Sequence, residues 1–194
     1  MGGLAVNLHA SLLPKYRGAA PIHRAMIEGE RETGVSVIGL AQRMDAGAVY
    51  GTASLAIDPL ETAGELHDRL AELGPDAVGR VLDDLARGQL QPLEQDESQA
   101  TRAPKLSKAD GTVDFGVAAE RVRARVHGLT PWPGCRVAWV AGGGGEGEPR
   151  PLLLRRVEAW REVPRGLGAE PGCVGEGGVV RCGQGVVRLL EVQA

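Results

Sequence analysis

The sequence predicts an α/β protein in two parts: an open α/β layer over residues 1–100, a linker over 101–111, and a small β-barrel over 112–194. Three observations lead there. Strand-like and helix-like segments alternate as far as about residue 88. Beyond residue 134, short Val-, Leu- and Trp-rich segments are separated by glycines, the pattern of a small barrel or sandwich. Charge divides at the same place: residues 1–101 carry 8 Lys+Arg and 15 Asp+Glu, net −7, whereas 102–194 carry 14 and 10, net +4.

The elements follow in order. Leu4 to His9 is apolar enough for a short, mostly buried strand, and Ser11-Leu12-Leu13-Pro14 is turn-prone. Pro21 suits a first helical turn, so a helix is expected from Pro21 to Glu28, stopping at Gly29. The β-branched run Gly34–Leu40 and the segment Ala48–Ile57 read as strands joined through Met44-Asp45-Ala46-Gly47. Leu66, Leu70 and Leu73 recur at helical spacing behind Thr62, a candidate cap. Pro75 then divides this helix from a second one carrying Val78, Val81, Leu82 and Leu85 and ending at Gly88. Thr101 to Gly111 shows neither period and reads as linker. A helix over Val117–His127 precedes strands at Cys135–Val140, Leu152–Trp160, Gly178–Cys182 and Val186–Val192. The glycine run 142–147 is expected to be a hairpin loop, since it lacks the strand and helix of a phosphate-cradling motif.

Composition excludes several classes. With 43% apolar and 24% charged residues the chain is neither disordered nor fibrous. No run of about 18 apolar residues spans a bilayer, and residues 1–5 lack a signal-peptide layout, so a cytoplasmic chain without membrane partners is expected. Cys135, Cys173 and Cys182 are far apart, which supports free thiols and predicts no metal site. Glycine is abundant at 29 residues and aromatics are 3%, so the core must be built from small aliphatic contacts.

Chemistry concentrates near the start. In a strand, Asn7 and His9 project to one side about 7 Å apart. An amide offers donors to a developing oxyanion and an imidazole exchanges protons near neutral pH, the pair that acyl transfer needs; a purely structural pair is the competing reading. Asp45, in a loop after a strand, can return to the same sheet edge and orient the ring, or simply make an Asx turn. His23 and His67 read as surface residues, and His127 as a ring placed at a helix C-terminus by the dipole. Arg121, Arg123 and Arg125 are two apart on a helix, about 200° from one to the next, and cannot form one stripe.

The stretches Asn7-Leu8-His9-Ala10-Ser11-Leu12-Leu13-Pro14, Tyr16-Arg17-Gly18-Ala19-Ala20-Pro21-Ile22, Glu32-Thr33-Gly34-Val35 and Met44-Asp45-Ala46-Gly47 together resemble methionyl-tRNA formyltransferases. Leu73-Gly74-Pro75, Lys105-Leu106-Ser107-Lys108 and Pro131-Trp132-Pro133-Gly134 extend the resemblance almost to the end. It implies the C-terminal half of a Rossmann-like formyltransferase domain followed by an OB-like domain that binds tRNA. It also implies formyl transfer from 10-formyltetrahydrofolate, a co-substrate, to the amino group of methionyl initiator tRNA, in an enzyme that is monomeric when complete. Asn7, His9 and Asp45 match catalytic positions; Ser11, Leu12, Leu13 and Pro14 match the folate-binding segment. The basic second part then has a use: Lys105 and Lys108 are expected to grip tRNA phosphates.

The resemblance starts inside the first domain, so the sequence reads as a piece of a longer polypeptide with Met1 a misassigned start, or as a fragment of a gene model. An unneighboured strand leaves backbone groups unpaired, which predicts that the chain alone is poorly soluble or inactive. Two other readings stand beside it: a folate-dependent formyltransferase acting on a small amine such as an amino sugar, and a non-catalytic nucleic-acid-binding remnant.

Overall fold

The computed structural model describes residues 4–141 and 147–194, which fall into two compact units. The first holds residues up to Ala25, Glu30–Asp58 and Gly64–Lys105; the second holds Met26–Gly29, Pro59–Ala63 and the chain from Leu106 onward. The break between Lys105 and Leu106 falls inside the predicted linker. That linker is nevertheless not structureless: Arg102–Ala103 is a strand and Lys108–Asp110 a turn of 3₁₀ helix. Among the described residues no helix is long and apolar enough to cross a membrane.

The first unit is built on a three-stranded antiparallel sheet of β1 (Val6–His9), β3 (Glu32–Gly39) and β4 (Val49–Ala56), in the order β1-β3-β4. The middle strand β3 is buried from Thr33 to Gly39, on both of its faces, with Val35, Val37 and Ile38 in the core and the buried Ser36 hydroxyl donating to Ser11 O. Beside it β4 alternates along its outer half. The expectation of a mostly buried β1 does not hold: Asn7 is exposed and Leu8 is 40% exposed, because β3 covers β1 along one edge only. A second, minimal ladder pairs β2 (Arg17–Gly18) with β5 (Arg102–Ala103) in parallel. Helix α1 (Pro21–Glu28) has the predicted bounds, and Gly29 follows it at φ 80°.

Two helices were expected around Pro75; the structure has one, α2 (Ala63–Ala86). The buried positions explain it. Leu66, Leu70, Ala77 and Val81 are each at most 5% exposed and fall on one face of an uninterrupted helix, with Gly74 between them. Gly74 lets the helix close on β1, since a Cβ there would lie 2.7 Å from Leu8 Cδ2. Continuing that face into the core outweighs the roughly 3 kcal/mol that an interior proline costs. Of the four residues expected to anchor the second half, Leu82 and Leu85 are 52% and 43% exposed. The predicted stop is present: Gly88, at φ 67°, donates to Leu85 O while Gln89 N–H donates to Asp84 O, a Schellman motif.

In the second unit α3 (Ala119–Gly128) precedes a four-stranded antiparallel sheet of β6 (Cys135–Trp139), β7 (Arg150–Trp160), β8 (Val179–Arg181) and β9 (Val186–Gln193), in the order β6-β7-β9-β8. The β7/β9 register shifts on either side of Arg156, the bulges by which a sheet curls toward a barrel. Residues 142–146, most of the glycine run read as a hairpin loop, lie outside the described residues; the strands on either side of them pair antiparallel.

His127 differs from its expected dipole role. It is 1% exposed and its Nε2 accepts from Val157 N–H at 3.1 Å, so the ring is neutral. Burial, followed by the Arg123 and Arg156 charges, pushes its pKa down to about 4. His67 is exposed, whereas His23 is half-buried and its pKa is lowered, first by burial and then by Arg24 and His67. The three cysteines are free, and burial pushes the Cys135 thiol up to about 12.

Candidate functional site

His9 ends β1 opposite Ser36 and is 6% exposed. Its Nε2 lies 3.0 Å from the Tyr16 carbonyl oxygen, which can only accept, so Nε2 carries a hydrogen. Nδ1 is left facing Asp45, with the nearer carboxylate oxygen at 3.6 Å. That same oxygen accepts the Gly18 N–H at 2.9 Å. Asn7 stands two residues before His9 on the same side of the strand, opposite Ile38, and is exposed. Thus residues 36 positions apart in the chain meet at one imidazole.

The loop after β1 is held by side chains. Ser11 is fully buried; its hydroxyl donates to Lys15 O at 2.6 Å, and its own carbonyl accepts the Ser36 hydroxyl at 2.7 Å. Leu13 N–H donates to Ser36 Oγ at 3.1 Å. Leu12, Leu13 and Pro14 remain half-buried beside His9. Tyr16 then takes φ 64°, its N–H donating to Thr101 Oγ1 at 2.8 Å and its hydroxyl to Glu30 at 2.8 Å. Hydrogen bonds from Lys15 and Tyr16 hold the Glu30 carboxyl below its usual range, with the Lys15 bond the larger cause.

A cavity of about 720 Å³ opens within this unit, lined by Arg17, Gly18, Arg43, Met44, Thr101 and Lys105 among others. Gly18 and Met44 bring it to the Asp45 carboxylate and its loop. Arg17 and Arg43 both bind Glu97, at 2.9 and 3.0 Å, and these bonds hold the Glu97 carboxyl below its usual range.

Residues 1–82 match the family profile described as formyl transferase, and residues 105–194 match the formyl transferase C-terminal domain. The chain belongs to the formyl transferase family. A methionyl-tRNA formyltransferase from Heliobacterium modesticaldum is 44% identical over 195 residues, 97% of this chain and 60% of that protein. The chain therefore spans about three-fifths of the length of the curated relatives it matches. Two solved structures share the fold at low identity. The N-formyltransferase from Helicobacter canadensis, in complex with folinic acid and dTDP-3-aminofucose, has a TM-score of 0.73 at 13% identity, covering 95% of this chain and 65% of its own. HypX from Aquifex aeolicus in complex with tetrahydrofolic acid has a TM-score of 0.67 at 20% identity, covering 97% of this chain and 32% of its own.

Within the first unit the structure brings His9 and Asp45 together and puts Asn7 on the strand beside them. Ser11 is occupied in shaping the loop that carries Leu12, Leu13 and Pro14. Lys105 lines the cavity, and Lys108 opens the 3₁₀ turn as an exposed residue. The α3 arginines are spent on protein: Arg121 on Glu28 O, Arg123 on Glu120 and Pro59 O, Arg125 on Asp110 O and Thr112 O. Sequence reasoning assigned nothing to Tyr16, Ser36, Gln95 or Thr101. Tyr16 lay within a recognisable motif; Gln95 and Thr101 lie in a polar stretch with no period to mark them.

Proposed function

We propose that the complete protein carrying this chain transfers a formyl group from 10-formyltetrahydrofolate to the amino group of methionine on initiator tRNA, as a monomer in the cytoplasm. The observation that carries the reading is the Asp45 carboxylate, set between His9 Nδ1 and the N–H of Gly18, a residue that lines the cavity. The similarity to proteins named methionyl-tRNA formyltransferase along nearly the whole chain supports the choice of acceptor.

The loop fits a folate. Leu12, Leu13 and Pro14 offer half-buried apolar surface next to His9, the kind of wall that holds a flat heterocycle. The bound folate supplies the formyl carbon. The chain's own groups do the rest. Asn7, exposed on the strand that ends at His9, would offer its amide donors to the oxygen on which negative charge develops during acyl transfer. His9 donates through Nε2 to the Tyr16 carbonyl and turns Nδ1 toward the Asp45 carboxylate, and the two contacts fix the orientation of the ring. Asp45 would accept the proton released by the attacking amine, directly or through one water. Lys105 and Lys108 contribute positive charge for acceptor-arm phosphates, giving a salt-dependent grip with little base reading.

The test is formylation of charged initiator tRNA by the complete gene product with 10-formyltetrahydrofolate, read as formyl-methionyl-tRNA. Product is expected, together with a tRNA affinity that falls as salt rises. Formylation of a nucleotide amino sugar instead would replace the proposed acceptor, and tRNA binding with no transfer to any amine would mark a non-catalytic module.

A further inference from the structure

Two residues other than glycine have positive φ among the described residues, Tyr16 at 64° and Asp45 at 55°. Both contact His9, one through its carbonyl and the other through its carboxylate. A side chain in the left-handed region costs roughly 1–2 kcal/mol, so it persists where its surroundings hold it. For Asp45 the holder is Gln95, 50 residues away. Gln95 Nε2 donates one hydrogen to Asp45 O at 2.8 Å and the other to Gly47 O at 2.7 Å, the carbonyls that bracket Ala46. Its Oε1 accepts from Arg17 Nε at 3.0 Å and Arg17 Nη2 at 2.7 Å. Both donors and both lone pairs of the amide are therefore in use. The orientation is set by its partners, because a reversed amide would put its oxygen against two carbonyl oxygens and its NH₂ against a guanidinium.

The contacts close a ring. Arg17 precedes Gly18, whose N–H holds the Asp45 carboxylate. Gln95 ties the Arg17 side chain to the Asp45 backbone, so the backbone and the carboxylate of Asp45 are both anchored to the Arg17-Gly18 strand. Resting on the functional reading above, we propose that Gln95 is a positioning residue for the transfer reaction: it sets the Asp45 carboxylate against His9.

Gln95→Glu tests this, since the side chain keeps its size and its Arg17 partner while losing both donors to the loop. In the complete protein, Gly18 amide hydrogen exchange is expected to accelerate while the β3–β4 amides of Val37 and Ala53 keep their protection. The kcat for formyl transfer should fall by about 10²-fold, the scale of a 1 Å misplacement, with KM for the folate within about twofold. Because Gln95 acts through Asp45, Gln95→Glu should cost nothing further in an Asp45→Asn background. An unchanged Gly18 exchange rate, a loss that multiplies that of Asp45→Asn, or a general loss of β3–β4 protection would overturn the proposal. If the wild-type protein transfers no formyl group, the functional reading fails, and the Gly18 exchange alone decides whether Gln95 places the carboxylate.

Discussion

His127 should make the protein acid-labile in a defined window. Its ring is 1% exposed, accepts from Val157 N–H through Nε2, and has a pKa lowered from 6.5 to about 4. The unfolded chain takes up the proton near 6.5 and the folded chain only near 4. Between these values the unfolded state binds more protons, so lowering the pH favours unfolding. The stabilisation from the neutral ring is full above about pH 6.5, declines as pH falls, and is gone near pH 4. Stability falls by about 1.4 kcal/mol for every tenfold rise in proton concentration between the two pKa values, so the loss across that window is about 3 kcal/mol. Urea unfolding can follow it by tryptophan fluorescence, since Trp132, Trp139 and Trp160 all lie in the second unit. His127→Gln keeps an acceptor for Val157 but cannot titrate, and carboxylate effects common to both proteins cancel in the difference. The wild-type advantage over the variant should shrink by about 3 kcal/mol between pH 7 and pH 4. A difference that stays constant with pH would refute the burial argument.

Three further outcomes follow from single contacts. Pro75→Ala should raise the urea midpoint, by an amount corresponding to about 1–3 kcal/mol, because α2 already runs straight through that exposed position. Gly47→Ala would place a Cβ 1.8 Å from Gly39 O, so it should cost about 1–3 kcal/mol in a denaturation assay and slow formyl transfer by moving the Asp45 loop. Asn7→Ala removes an exposed side chain; stability should change by less than about 0.5 kcal/mol, whereas steady-state turnover should drop by about 10²–10³-fold if the amide serves the oxyanion. Near-normal turnover would take Asn7 out of the reaction.

Local order in the chain determined the elements and many of their ends. Proline at the first turn and glycine past the last one set α1, β-branched runs set β3 and β9, and glycine at positive φ closes α2, because each depends on backbone preferences within a few residues. Motif order also placed Asn7, His9 and Asp45 in one neighbourhood before any coordinates. Tertiary packing decided the rest. Whether Pro75 breaks a helix depended on a continuous buried face, and whether His127 carries charge depended on what covers it. The bracing of Asp45 by Gln95 and of Tyr16 by Thr101 joins positions 50 and 85 residues apart. A hydrogen bond between such distant groups leaves no periodicity in the sequence, and only the folded chain brings its donor and acceptor to within 3 Å.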